Sequence, residues 1–303
     1  MAENARVVVR HLIMLLCFWL PAARRKKIER WLRGREEFKK LEKCDWVLMS
    51  WGKSGRTWLR VMLSRAYQLK SGVDAHELLD FDNLKKLDPQ LPAVFFTHNN
   101  YLRDYTGNEE SKAHFKGKRV VLLVRDPRDV AVSQFFQWQY RMRPNKKFIN
   151  DYPPHGSDIG LWDFVLDKDA GVQRIVDYTN GWARAIPELK DVLIVRYEDM
   201  RADPAAVLSS ILEFTGTPVT PEQVREAVDF AAYDNMKKME QEKFFKGGGT
   251  RVKPGDMDNP QSFKVRKAKV GGYRDYFTDE QCEQLEALVA QLDPVFGYGG
   301  EQP

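Results

Sequence analysis

The chain is poor in cysteine: Cys17, Cys44 and Cys282 are the only three in 303 residues, and no two form a C-x-x-C pair. That excludes a disulfide framework or a zinc ribbon and fits a reducing, cytoplasmic compartment. Histidine is as sparse. His11, His76, His98, His114 and His155 never fall at the spacing that puts two imidazoles on one helical face, so no metal site is expected. Long apolar runs are missing too. The longest, Leu12 to Ala23, has 12 residues, short of the roughly 20 that cross a bilayer. There is no internal repeat, and no excess of one charge over the whole chain. Lys and Arg number 48 against 43 Asp and Glu, but residues 1–43 hold +7 of that balance and the remainder is −2. A nucleic-acid-binding face built over the fold is thereby excluded.

What is present describes a folded chain, 43% hydrophobic and 30% charged. It divides into a basic, partly apolar segment over 1–43 and one larger domain over 44–303. The segment VVVRHLIMLLCFWLPAARRKK carries its strongest basic cluster, Arg24 to Lys27, after the apolar run, the reverse of a secretory signal. Two readings stay open. Residues 6–35 read as an interfacial segment, with Phe18 and Trp19 in the headgroup region and Arg24 to Lys27 on anionic lipid, peripheral on the inner face of a membrane. They read equally as a helix packed on the body of the protein or on a second subunit of a homodimer.

From Trp46 the pattern is of apolar strands alternating with amphipathic helices. WVLMS (Trp46 to Ser50), AVFFT (Ala93 to Thr97), RVVLLVR (Arg119 to Arg125) and DVLIVRYEDM (Asp191 to Met200) read as strands, the last running into a polar turn. Helices are expected from Thr57, over Val130 to Tyr140, over 162–186, over Asp203 to Gly216 and over Asp279 to Leu292, with Asp126 or Asp129 as a cap. Residues 143–160 look like a surface loop, and 247–270, rich in Gly, Pro and Lys, like a mobile segment or lid. The alternation predicts a three-layer α/β/α fold around a mostly parallel sheet, of the nucleotide-kinase type.

Two stretches carry chemistry. Gly52-Lys53-Ser54-Gly55-Arg56-Thr57, between a strand and a helix, presents backbone N–H groups to an anion. It is not an ATP P-loop, because Val47 stands where the first Gly is needed. The second is VVLLVRDPRDVAVSQFF, in which Arg125 ends a strand and Ser133 lies early in the next helix, so both can meet one phosphate if the chain turns at Pro127.

Together they resemble the sulfotransferase family that uses 3′-phosphoadenosine 5′-phosphosulfate. The family's Pro-Lys-Ser-Gly-Thr-Thr-Trp is similar to Gly52 to Trp58 in five of seven places, its Arg-Asp-x-x-Asp-Val-x-x-Ser is present from Arg125 to Ser133, and its third motif is similar to Arg266-Lys267-Ala268 with Gly271 and Phe277-Thr278. The resemblance implies that Lys53 reaches the bridging oxygen of the phosphosulfate while Ser54, Gly55, Arg56 and Thr57 hold the 5′-phosphate. It implies Trp58 and Tyr197 at the adenine, and Arg125, Ser133, Arg266, Lys267 and Ala268 at the 3′-phosphate. It makes His98 the base that takes the acceptor hydroxyl's proton, with no metal needed.

The sequence departs from that pattern at Phe96, where a Lys is usual, at Asn99 and Asn100 after the base, at Arg56 for Thr, at Ala268 for Gly and at Ala231 for Thr or Ser. These departures bear on the acceptor: a hydroxyl-bearing small molecule, or a membrane-proximal glycan or glycolipid. Phe135, Phe136, Trp138, Tyr140 and Trp162 line its pocket or belong to the core. Arg141, Arg143, Lys146 and Lys147 read by default as a solvated face, with attraction of an anionic glycan or lipid headgroup as the functional alternative. The rival readings are an ATP-dependent small-molecule kinase and a non-catalytic, membrane-associated nucleotide-binding protein.

Overall fold

The computed structural model of the protein describes residues 2–107, 111–246, 252 and 254–298, with only the backbone of residues 2–6. Four strands form one parallel sheet in the order β2-β1-β3-β4: β1 Trp46–Ser50, β2 Val94–Thr97, β3 Arg119–Val124 and β4 Val192–Arg196. Leu48 pairs with Phe96 on one side and Val121 on the other, and Leu122 pairs with Ile194. Every residue of β1 is buried, as expected of a central strand with helices on both faces.

Because side chains alternate across a strand, the sheet builds two cores. Leu48, Val121, Leu123 and Val195 face one layer, which includes Leu59 and Leu63 of helix α3 (Arg56–Ser71) and Leu208 and Ile211 of the helix Pro204–Phe214. Val47, Met49, Val120 and Leu122 face the other, with Val130 of the helix Pro127–Tyr140, Ile175 of the helix Val172–Ala183 and Leu285 of the helix Asp279–Val289. Burying each such aliphatic side chain contributes about 1.5–3 kcal/mol. Asp126 accepts from the Arg128 amide and caps the helix it precedes, and Asp203 accepts from the Ala206 amide in the same way.

The strand order places the site. The chain leaves β1 toward β2 on one side and leaves β3 toward β4 on the other, so a crevice opens beyond the carboxyl ends of β1 and β3. The Lys53 loop follows β1, and Arg125 follows β3.

Several expectations are corrected. The stretch 162–186 is not one helix: Leu161–Leu166 and Val172–Ala183 are separate. Asp167 turns the chain by accepting from the Asp169 and Ala170 amides, and a Cβ at Gly171 would lie 2.3 Å from the Val165 carbonyl oxygen. The surface loop at 143–160 contains a short helix, Pro144–Ile149, whose Lys147 and Ile149 are buried. The polar turn after β4 is a helix, Tyr197–Ala202.

In the 247–270 stretch, residues 247–251 and 253 lie outside the described residues. Its remainder has a single 3-10 turn, Pro260–Ser262, and is tied down where the Glu240 carboxylate accepts from the Lys264 and Val265 amides at 2.8 and 2.9 Å.

The N-terminus forms two helices, α1 (Ala2–Leu16) and α2 (Ala22–Lys43). α2 lies on the body, where Arg30 donates to Asp104 and to the Asn100 and Ile149 carbonyls. Gly34 permits this approach, since a Cβ there would stand 2.3 Å from the Tyr101 carbonyl oxygen. By contrast α1 leaves Val8, Leu12, Leu15 and Leu16 exposed, with Phe18 and Trp19 each 72% exposed just beyond. Among the described residues no helix is long and apolar enough to cross a membrane.

Candidate active site

The loop after β1 turns sharply. Lys53 sits at φ 71° and Gly55 at φ 92°, and a Cβ on Gly55 would be 2.6 Å from the Tyr197 ring, so only glycine fits there. Gly55 caps α3 without any side-chain bond, which leaves the first-turn amides of a 16-residue helix directed at the crevice. Arg56, Thr57 and Trp58 are that first turn.

Arg125 fastens this loop to the rest of the site. Its guanidinium donates to the Lys53 carbonyl at 3.2 Å, to the Lys269 carbonyl at 3.1 Å and to Asp129 at 3.1 Å, and it lies 4.2 Å over the Tyr197 ring. Asp129 in turn accepts from the Gly271 and Tyr273 amides at 3.0 and 2.9 Å. One buried carboxylate thus joins the second motif to the third. Its position four residues after Arg125 was readable as a helix cap, but its reach to residue 271 was not.

Arg266 stacks on Phe136 at 3.7 Å and donates to the Tyr276 hydroxyl at 2.7 Å. Lys267 pairs with Asp275 at 3.2 Å and lies over Tyr276. Ala268 has φ 50°, a backbone setting that glycine takes without cost. Trp58 donates to the Ala231 carbonyl at 2.9 Å and meets Tyr197 edge-on, and Ala231 and Met236 line the same end.

The structure brings Lys53, Gly55, Arg56, Thr57, Trp58, His98, Arg125, Ser133, Tyr197, Arg266, Lys267 and Ala268 into one cleft of about 1580 Å³. Ser54 is apart from its wall, 1% exposed and against the small cavity beneath β3. Lys264 and Glu37 line the cleft although the sequence did not single them out, and neither did it single out Glu240, which holds Arg141. Glu240 is fully buried and pairs with Arg141 at 3.3 Å. A lone Glu on a polar helix carries no signal of such a role.

The default reading of 141–147 as a solvated face fails for Arg141, Lys146 and Lys147, while Arg143 is exposed. Arg141 is held by Glu240 and the Ser262 carbonyl, Arg143 and Lys146 line the cleft, and Lys147 is buried over Trp138. The aromatic alternative resolves to core for most members: Phe135 and Trp138 pack with Phe164, Trp162 packs beside Phe277, and only Tyr140 of the five lines the cleft.

The cleft is strongly cationic, and its titrations follow. Burial, and then Arg141, Arg266 and Arg125, push Lys53 down to about 7 against the pull of Glu240. Lys264 is pushed well below its ordinary value by burial and by Lys53 and Arg141. His98 lies deep in the cleft, with Nδ1 2.6 Å from the Ser50 carbonyl oxygen and Nε2 2.6 Å from Arg56 Nη2. Burial first and Arg56 second hold it well below the usual imidazole range, so it is neutral. Glu37 reaches the same cleft from α2, and burial raises its carboxyl to about 7. Among the described residues no cluster of His, Cys, Asp or Glu is suited to a metal ion.

Two groups of donors converge here, the α3 amides with Lys53 and the Arg125, Ser133, Arg266, Lys267 group. Such a pair fits a nucleotide with phosphates at both ends of one ribose.

A family profile described as "Sulfotransferase domain" matches residues 43–292. Among similar proteins, Cytosolic sulfotransferase 17 of Arabidopsis thaliana is 26% identical over 87% of this chain and 78% of its own length. Sulfotransferase 2A1 of Homo sapiens is 23% identical over 82% and 83%. The fold resembles that of mouse sulfotransferase SULT7A1 complexed with PAP, with a TM-score of 0.54, 22% identity and 84% and 88% of the two chains covered.

Proposed function

Because this chain belongs to the sulfotransferase domain family, we propose that it moves a sulfuryl group from 3′-phosphoadenosine 5′-phosphosulfate to an acceptor hydroxyl. The observation that carries the donor is the convergence of the Lys53 loop with Arg125, Ser133, Arg266 and Lys267 in one cleft. A mouse relative solved with PAP points the same way. The α3 amides and Thr57 hold the 5′-phosphate, Trp58 stacks on the adenine with Tyr197 near it, and the second group of donors holds the 3′-phosphate.

His98 is the base. Its Nδ1 faces a carbonyl, which only accepts, so Nδ1 carries the hydrogen and Nε2 the lone pair. Nε2 takes the acceptor's proton as the acceptor oxygen bonds to sulfur and the bond from sulfur to the 5′-phosphate oxygen breaks. Lys53 offsets the charge that gathers on the departing oxygen. The acceptor is polar and anionic rather than a flat phenol. Outside the donor motifs the cleft is lined by Arg103, Lys112, Lys146, Arg174 and Arg184, which suits a charged glycan or glycolipid headgroup. Since Arg30 and Glu37 also line it, residues 22–43 work as part of the catalytic unit.

Transfer of labelled sulfate tests this. His98→Ala should lower turnover by about 10²–10⁴ while PAP still binds as in the unaltered chain. Turnover close to wild type in that variant contradicts the assignment.

A second reading concerns where the enzyme works, and the exposed apolar side of α1 favours it. Leu12, Leu15, Leu16 and Trp19 stand together in water beside exposed Arg24 and Lys27, the pattern of a segment lying on an anionic leaflet. We place the protein in the cytoplasm, peripheral on such a surface. The full chain should sediment with phosphatidylserine vesicles at low salt, and the Leu16→Glu, Trp19→Glu double variant should not. Equal sedimentation refutes the contact, and a mass that rises with concentration assigns the face to a second copy instead.

A further inference from the structure

The most unusual contact in the cleft is between the base and its neighbour. Nη2 of Arg56 lies 2.6 Å from Nε2 of His98, and Nδ1 of the same ring is fixed on the Ser50 carbonyl oxygen. A guanidinium has donors and no lone pair, so the only lone pair of this imidazole is already accepting an Arg N–H. In that arrangement His98 has nothing with which to take a proton.

Arg56 can be drawn elsewhere. It opens α3, at the edge of the cradle, on a long side chain, and a planar fork prefers an oxyanion, which it meets bidentately, to one neutral nitrogen. The cleft wall outside the donor motifs carries more Lys and Arg than Asp and Glu, so an anion is attracted to this region.

We propose that Arg56 masks the base until an oxyanion on the acceptor, next to its reacting hydroxyl, takes the guanidinium and frees Nε2. Arg56 is then the residue that reads the acceptor's charge. The unmasked Nε2 takes the hydroxyl proton, the acceptor oxygen bonds to sulfur, and the 5′-phosphate oxygen leaves with the electron pair of the broken bond. The same mask denies the base to water, which would otherwise release free sulfate from the donor. This inference rests on the sulfuryl-transfer reading above.

The test measures sulfate released from saturating donor, without acceptor, by the full chain, by Arg56→Thr and by Arg56→Thr combined with His98→Ala. Acetate serves as the probe oxyanion, and calorimetry with PAP reports that each variant is folded and loaded. The expected result is slow release by wild type, release at least about tenfold faster by Arg56→Thr, and loss of that gain in the double variant. Acetate should accelerate wild type saturably and leave Arg56→Thr unchanged. Arg56→Lys, whose ammonium cannot form the bidentate pair, should lose the response to acetate.

Release that is equally slow from wild type and from Arg56→Thr overturns the mask alone. Release that is equally fast from both, and lost in the double variant, means that the donor's own phosphosulfate moves Arg56, and it overturns the acceptor as the trigger. No sulfate from any of the proteins, with or without acetate and with PAP bound, overturns the mask as a guard against water, whereas sulfuryl transfer itself stands or falls by the labelled-sulfate assay above.

Discussion

Replacing Asp129 by Ala removes one carboxylate and disconnects three groups. Its side chain is 2% exposed, pairs with Arg125, and accepts from the Gly271 and Tyr273 amides. Each buried N–H left without an acceptor costs about 1–3 kcal/mol. Breaking a buried ion pair from one side costs about 3–5 kcal/mol. These terms describe overlapping losses and do not add, so a total of about 3–5 kcal/mol is expected.

Arg125 keeps the Lys53 and Lys269 carbonyls but loses its counter-charge, and the turn at Gly271 that follows Arg266 to Ala268 loses its anchor. PAP affinity should therefore fall by about tenfold or more, which is about 1.4 kcal/mol. Asp129→Asn, which keeps one acceptor oxygen but turns an NH2 toward a donor, should lie between the two. Urea unfolding gives the first quantity and calorimetric titration with PAP the second. A variant within about 1 kcal/mol of wild type that binds PAP equally well would refute the claim that Asp129 joins the two motifs.

Two further outcomes follow from the same geometry. Lys53 is held at about 7 by burial and neighbouring cations, and a phosphate among them favours its charged form. PAP binding at pH 8 should therefore take up close to one proton, seen as a heat that varies with the buffer's ionisation enthalpy. Affinity should weaken as pH rises through 7, because the free protein then binds fewer protons than the complex. A heat independent of buffer would contradict this. Ala268→Gly should stabilise the chain by about 1 kcal/mol, since φ 50° is strained for any residue with a Cβ; a lower urea midpoint at unchanged m-value would show that the Ala methyl packs better than the strain costs.

The sheet and the donor half of the cleft were legible because they depend on local pattern. A short apolar run bounded by a Gly-containing loop, such as Trp46 to Ser50, suits a buried strand better than a helix, and the loop that follows is placed by the strand itself. The opposite side of the cleft was not legible, because it is assembled from distant parts. Lys146, read as surface, lines the cleft because the stretch around it folds into the helix Pro144–Ile149. Glu37 enters from α2, outside the stretch that carries the motifs. Trp138 was ambiguous on sequence because a buried aromatic on an amphipathic helix and a pocket aromatic have the same spacing. The break at Asp167 to Gly171 combines a local Asx turn with a close approach of the Val165 carbonyl to Gly171, and helical spacing shows neither.

The measurement that bears most directly on the account is calorimetric titration of the full chain with 3′-phosphoadenosine 5′-phosphate beside ADP and ATP with magnesium. The account predicts tight binding that depends on the 3′-phosphate and is lost when Arg125 or Arg266 is replaced by Ala. A preference for ATP with magnesium, or equal affinity for PAP and ADP, would contradict it.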